Sequence, residues 1–416
     1  MKTKPHSVLV INCGSSSLKF SLINPADGIN IIDGIAERLM TSDAKIIIKF
    51  HHHLKNNTPF EKNLAPPFDH KTAIEQLVNC LTEHQLVDQI SAVGHRVVHG
   101  GEKYSQPTLI TPQVAKTIDE LAKLAPLHNP ANLIGITAAQ KAFRGLPQVA
   151  VFDTAFHQTM PEKAYIYALP YALYQEHSIR KYGFHGTSHY FVSKQCAKQM
   201  NKPIEQCHFI SAHLGNGCSV TAIKNGQSID SSMGFTPLEG VMMGTRSGSI
   251  DPGIIFYLVE QLGYSLAEVN NILNKESGLL GVSQLSNDCR SLEKMALNND
   301  SEPKKIRLAK LALNVFCYQI AKSIASLSAG LNQLDALIFT GGIGENSAFV
   351  RRKILKQLSL LNFNVDDQAN DTARFGASGN ICQQDSRPCW VIPTNEEWVI
   401  AQQSSQLLKH GLKQDT

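Results

Sequence analysis

No run of Lys or Arg marks a surface for nucleic acid, and a net charge of +4 is small for 416 residues. Charge therefore points to no polymeric partner. No apolar run approaches the roughly 18 residues that a membrane helix needs. Met1-Lys2-Thr3-Lys4-Pro5 leads into the first apolar stretch without a secretory apolar segment. The nine cysteines include no C-x-x-C, the closest two being Cys382 and Cys389. They read as reduced core residues of a cytoplasmic protein. There is no G-x-x-x-x-G-K-[ST], which excludes a P-loop, and Gly342-x-Gly344 is too short for a dinucleotide fingerprint. His185-x-x-x-His189 has helical metal spacing but lacks the Glu of a zincin. His51-His52-His53 is consecutive, so alternate side chains diverge on a strand and read as a solvated edge.

What is present is the composition of a globular protein, 43% hydrophobic and 18% charged, in a chain long enough for two domains with a cleft between them. In Val8–Phe20 an apolar run ends in Asn12, Cys13 and Gly14, passes through Ser15, Ser16 and Ser17, and resumes as an alternating strand carrying Lys19. Such a hairpin turns backbone N–H groups, hydroxyls and one ammonium towards a common point, a way to hold phosphate without a helix N-terminus. Taken alone the motif serves an ordinary Ser-rich hairpin as well. A sister appears at Phe209–Thr221, where Gly215 stands as Gly14 does in the first, so the chain reads as internally duplicated.

Strands are expected at 7–12, 17–23, near 29–38, at 45–50, 90–98 and 146–152, then near 209, near 227 and at 334–340. Helical periodicity covers 70–86, 113–125, about 252–262, 265–274 and 302–331. Strands followed by βα alternation, occurring twice, indicate α/β domains with mixed sheets.

Chemistry-bearing side chains gather in a few segments. Arg96 lies beside the glycines of G-H-R-V-V-H-G-G, and alone it also fits a structural corner. His128 sits between prolines, which fix the backbone. Asp153 ends a buried strand, where α/β sheets present catalytic groups. His185 is flanked by glycines, and Arg246 stands in a loop too rich in Gly and Ser to serve packing. Two Arg, two His, one strand-end Asp and two phosphate-type hairpins fit phosphoryl transfer, which relies on positioning and positive charge.

At these residues the chain resembles the acetate kinases, within the acetate and sugar kinase, heat-shock chaperone and actin superfamily. The matching segments are N-C-G-S-S-S-L-K-F, G-H-R-V-V-H-G-G, P-L-H-N-P, F-D-T-A-F-H, Y-G-F-H-G-T-S-H, H-L-G-N-G, G-F-T-P-L-E-G-V-M-M-G-T-R-S-G-S-I-D-P, F-T-G-G-I-G-E-N and P-T-N-E-E, in the family's order across residues 8–397. The resemblance implies two duplicated actin-like (ribonuclease H-like) α/β domains with a nucleotide cleft between them. The first would comprise residues 1–153 plus about 394–416, on the acyl and phosphate side; the second, 154–393, would bind nucleotide. It implies reversible in-line transfer from ATP to acetate, giving ADP and acetyl phosphate, with magnesium or manganese, in a cytoplasmic homodimer.

Roles follow from the same resemblance. Arg96 and Arg246 would hold the carboxylate and the moving phosphoryl group, His185 would stabilise that group, and Asp153 would sit beside the reacting atoms. Asn12 and Glu396 would orient the metal. Ser15, Ser17 and Lys19 would face the phosphates, with His213, Leu214, Gly215, Asn216 and Gly217 opposite. Asp288 and Arg290, with Gly342, Ile343, Gly344, Glu345 and Asn346, would surround the nucleotide. Val98, Leu127, Phe184 and Pro237 would line the methyl pocket, with His128 in support. Propionate kinases share most of these motifs but tend to carry a smaller residue where this chain has Val98, so Val98 favours acetate. A sugar kinase would need a carboxylate base and no paired arginines at the acceptor; an actin-like ATP switch would need an appended interaction surface. Two departures stand out: Cys289, where many relatives carry an aromatic, and Trp398, where a small aliphatic residue is usual.

Overall fold

The computed structural model describes residues 6–51, 59–126, 128–298 and 300–411. The chain divides into two compact units, Met1–Ala155 with Asn395–Thr416, and Phe156–Thr394.

In the first unit the strands are β1 (Ser7–Cys13), β2 (Ser17–Ile23), β3 (Asn30–Glu37), β4 (Lys45–Phe50), β5 (Phe60–Asn63), β6 (Ile90–Val97), β7 (Thr108–Leu109) and β8 (Gln148–Phe152). They form one sheet in the order β5-β4-β3-β2-β1-β6-β8-β7. Strands β1 to β5 are antiparallel neighbours, whereas β1, β6 and β8 run parallel. The apolar run of β1 is buried on both faces because each face has its own cover. Leu9, Ile11 and Cys13 pack towards the helices His70–Glu83 and Asn129–Ala142. Val8 and Val10 pack with Val149, Val151 and, from helix Glu396–Gly411, Ile400 and Ala401. The C-terminal helix thus covers a sheet built by the first 152 residues.

Trp398 is anchored at both its N–H and its ring face. Its indole Nε1 donates to the Pro25 carbonyl at 3.2 Å. Its ring lies over Gly28, whose φ is +77° and whose missing Cβ would come within 2.7 Å of the ring. A large side chain at 398 therefore needs a glycine at 28, and the pair pins the helix to the β2–β3 turn. His51, read as part of a solvated edge, instead hydrogen-bonds Asp33 on β3; His52 and His53 lie outside the described residues.

The second unit holds β9 (His208–Leu214), β10 (Cys218–Lys224), β11 (Gln227–Ser231), β12 (Ala336–Thr340), β13 (Gly379–Asn380) and β14 (Cys389–Val391), ordered β11-β10-β9-β12-β14-β13. The helices Gly186–Gln199 and Pro303–Ser328 pack on this sheet. Three antiparallel strands followed by two parallel ones recur as β3-β2-β1-β6-β8 and β11-β10-β9-β12-β14. This is the duplicated actin-like arrangement. The expected helix at 265–274 is an α-helix only over Leu266–Asn271 and then widens into a π-turn at Ile272–Glu276.

Candidate active site

In the first unit the candidate groups stand at the ends of the parallel strands. Arg96 lies near the end of β6, and Asp153 immediately follows β8, its N–H donating to the Val97 carbonyl at 3.0 Å. Arg96 Nε and Nη2 donate to the two carboxylate oxygens of Asp153 at 3.0 and 2.6 Å. This two-pronged geometry is that of an ionised pair. Burial opposes the charge on Arg96, yet Asp153 and Glu396 hold its pKa above the ordinary value. Burial also acts most strongly on Asp153, and with the charge of Glu396 it lifts that carboxyl above the ordinary range against the pull of Arg96. His128, just before the helix Asn129–Ala142, also acts on Asp153 electrostatically.

Two asparagines absent from the expected set hold this group together. Asn132 accepts the Val98 N–H at 3.0 Å and donates to the Cys13 carbonyl at 2.8 Å, which ties Val98 to the first hairpin. Asn129 accepts the His99 N–H at 3.1 Å and returns a bond to the His99 carbonyl at 3.1 Å. Both are buried, three residues apart on one helix, and that spacing was the signal available in the sequence. The hairpin closes through Gly14 N–H to the Ser17 carbonyl at 2.8 Å, while His70 bonds the Gly14 carbonyl at 2.7 Å. Lys19 pairs opposite Asn12 in the β1–β2 register and is exposed, as is Ser15; Ser17 is half-buried. Val98 is buried. Leu127 lies outside the described residues.

In the second unit the sister hairpin closes through Gly215 N–H to the Gly217 carbonyl at 3.0 Å. A Cβ on Gly217 would lie 3.4 Å from His185 Nε2 and 3.6 Å from Arg246 Nη1, so both side chains stand against this glycine. Arg246 also donates to the Pro237 carbonyl at 3.2 Å. Burial lowers its pKa from the ordinary arginine value. Its loop is latched to the hairpin by Gly244 N–H to the Asn216 carbonyl at 3.1 Å.

His185 occupies the left-handed region, φ 56°, immediately before helix Gly186–Gln199, and its ring stacks on His213 at 4.3 Å. Behind it runs a buried chain: His185 Nδ1 bonds Ser219 Oγ at 2.9 Å, Ser219 bonds His189 Nε2 at 2.7 Å, and His189 Nδ1 bonds Ser211 Oγ at 3.0 Å. Burial keeps His189 neutral, with a pKa well below the ordinary value. The i, i+4 spacing that suggested metal ligands thus joins two rings through one serine. Phe184 is buried, and its carbonyl accepts from the neutral His157 at 2.9 Å.

Beside the hairpin opens a cavity of about 670 Å³, ample for a nucleotide. Of the expected residues, Gly215, Asn216, Asp288, Arg290, Gly342, Ile343 and Asn346 line it. His213, Leu214, Gly217, Gly344 and Glu345 do not. Leu214 is fully buried, and Glu345 accepts bonds from Gly341 N–H at 2.9 Å and Thr394 N–H at 3.1 Å, bracing the turn from behind. Gly341 itself requires glycine: its φ is +77°, and a Cβ would meet the Leu214 carbonyl at 2.8 Å. Asp288 caps the helix Cys289–Leu297, accepting the Ser291 hydroxyl at 2.8 Å. Unexpected lining residues include Asn287, Arg374 and Phe375.

The sequence profile described as the acetokinase family matches residues 7–402. The chain is 55% identical over 403 residues to a protein named acetate kinase from Shewanella sp. strain ANA-3, covering 96% of this chain and 98% of that one. It is 56% identical to the acetate kinase of Shewanella frigidimarina over the same shares. Among solved structures, a propionate kinase from Francisella tularensis superposes with a TM-score of 0.89 at 46% identity, covering 96% of this chain and 98% of that one. The Porphyromonas gingivalis acetate kinase gives 0.89 at 40% identity, covering 97% and 100%.

Proposed function

Because the chain belongs to the acetokinase family, we propose that it transfers a phosphoryl group reversibly between ATP and acetate, with acetyl phosphate and ADP as products. The observation that carries the mechanism is a pair of built guanidinium sites: Arg96 held edge-on by buried Asp153, and Arg246 set against Gly217 beside His185.

Acetate attacks as an anion, so no proton has to leave the nucleophile. One carboxylate oxygen bonds to the γ-phosphorus as the bond from that phosphorus to the bridging oxygen of ADP breaks. A general base is not required, which accounts for a carboxylate as fully committed as Asp153. Its task is to fix the plane of Arg96, whose Nη1 donates nothing to Asp153 and is assigned to acetate. Arg246 and His185 supply positive charge and a donor to the equatorial oxygens. Val98 meets the methyl group.

A divalent cation fits the first unit. Glu396 and Asp153 both act on the Arg96 guanidinium, so hard carboxylate oxygens of the kind such a cation prefers gather there. Asn12 and Glu396 are assigned to hold magnesium, or manganese in its place, and when bound it would neutralise phosphate charge. No helix among the described residues is long and apolar enough to cross a membrane. All nine cysteines are free and buried, which suits a reducing compartment and supports the cytoplasm as our proposed location. A homodimer is supported by helix Gly253–Glu260, whose sequence GIIFYLVE buries no residue within the chain. An apolar helix with an uncovered face calls for a partner, and a second copy is assigned to it.

The test is trapping of acyl phosphate with hydroxylamine, given ATP, magnesium and acetate, propionate or butyrate. Acetate is expected to give the highest kcat/KM, and Val98→Ala to narrow the gap to propionate. One methylene is worth only ~1–3 kcal/mol, so slow propionate turnover is expected too. Equal or reversed preference would instead favour the activity named for the Francisella structure.

A further inference from the structure

Among the described residues that line the cavity beside Gly215 and Asn216, Phe375 is the one aromatic, and its setting is unusual. The side chain is 82% exposed although it borders a cavity. Its backbone sits in the left-handed region, φ 55°, which costs energy for a bulky residue and needs the surroundings to enforce it.

The surroundings do so. Phe375 N–H donates to Asn346 Oδ1 at 3.0 Å, and Arg374 Nε donates to the Asn346 carbonyl at 2.8 Å. Fully buried Arg351 bonds the Gly344 and Glu345 carbonyls at 2.8 and 2.9 Å and the Ala373 carbonyl at 3.0 Å. Phe375 is thereby fixed to the same Gly-rich segment that lines the cavity. The Arg374 guanidinium lies 4.9 Å from the centre of its ring.

Of the parts of a nucleotide, only the base offers a flat apolar face, while ribose and phosphates are polar. The hairpin end of the cavity, at Gly215 and Asn216, adjoins Gly217, His185 and Arg246 and suits phosphate. Cys289, at the start of its helix, is buried and too small to supply a stacking surface. We propose that Phe375 is the wall on which the base of the nucleotide stacks, backed by Arg374, a task that Cys289 does not perform. This rests on the reading of the cavity as the nucleotide site.

Stacking is tolerant of base identity because every base has a π-face. Phe375→Asn keeps a residue that accepts the left-handed backbone and removes the ring; Phe375→Trp keeps a ring. The expected result for Phe375→Asn is a rise in KM for both ATP and GTP of roughly tenfold or more. The KM for acetate and inhibition by inorganic tripolyphosphate should stay near wild type, and Phe375→Trp should retain most of the affinity. An unchanged KM for ATP in Phe375→Asn, with wild type active on ATP, would overturn this assignment alone. A wild-type protein that binds tripolyphosphate but no nucleotide would overturn the reading of the cavity, and this assignment with it.

Discussion

His185 shows how much of a site is decided by residues that touch no substrate. For a neutral His185 to offer Nε2–H to a phosphoryl oxygen, its Nδ1 must accept from the Ser219 hydroxyl. Ser219 then accepts from His189 Nε2–H, and His189 Nδ1 accepts from Ser211, each step matching an observed bond of 2.7–3.0 Å. Burial keeps His189 from protonating and breaking that order. Ser219→Ala is therefore expected to lower kcat about 10- to 100-fold and to change the pH profile, because His185 loses the partner that fixes its tautomer. Histidine ¹⁵N chemical shifts would show the mixture of tautomers directly. An unchanged profile with a single His185 tautomer would mean that Ser219 only packs. The serines were illegible in the sequence: Ser211 and Ser219 alternate with apolar residues in ordinary strands, and only the pairing of β9 with β10 brings them to one ring. Arg96, His185 and Arg246 stood out because charged residues beside glycines are hard to explain by packing, and Asp153 because it ends a buried strand. Asn129 and Asn132 carry no such mark, and serve as ties between segments.

At the scale of elements, the two hairpins were the readable part, since an apolar run, a Gly-containing turn and a second strand declare themselves locally. The strands β1, β2 and β4 fall within a residue of expectation for that reason. The helices Asn129–Ala142 and Gly186–Gln199 are hard to read from sequence, because their first turns carry the His, Asn, Gly and Pro of the motifs and their periodicity is weak. Helix Gly253–Glu260 was expected, but its exposure could not be: Phe256 and Tyr257 are 62% and 57% accessible. Phe256→Asp with Tyr257→Asp is expected to convert a dimer into a monomer in sedimentation while leaving secondary structure intact. A wild-type protein already monomeric at micromolar concentration would remove the role given to this helix.

For the whole molecule, each unit buries histidines in neutral form. His95 in the first unit and His157 in the second are held to a pKa of about 4 by burial, against an ordinary value of 6.5. The unfolded chain then takes up protons first as the pH falls. The contribution of these two sites is full above about pH 6.5 and is lost progressively towards pH 4, by about 3 kcal/mol per site over that window. Thermal unfolding midpoints should fall through this range, and His157→Gln should make the decline shallower. An identical slope in the variant would show that His157 does not contribute.

Arg96 and Arg246 are each expected to be needed for the proposed phosphoryl transfer. The most direct measurement is the rate of ATP formation from acetyl phosphate and ADP by wild type, Arg96→Ala and Arg246→Ala, each checked for an unchanged thermal midpoint. Wild type should form ATP readily, each variant should lose on the order of 10²–10³ in kcat, and Lys at either position should rescue poorly because a point charge cannot copy the fork. Near wild-type rates in a folded Arg246→Ala, or no ATP from the wild-type protein, would contradict that expectation.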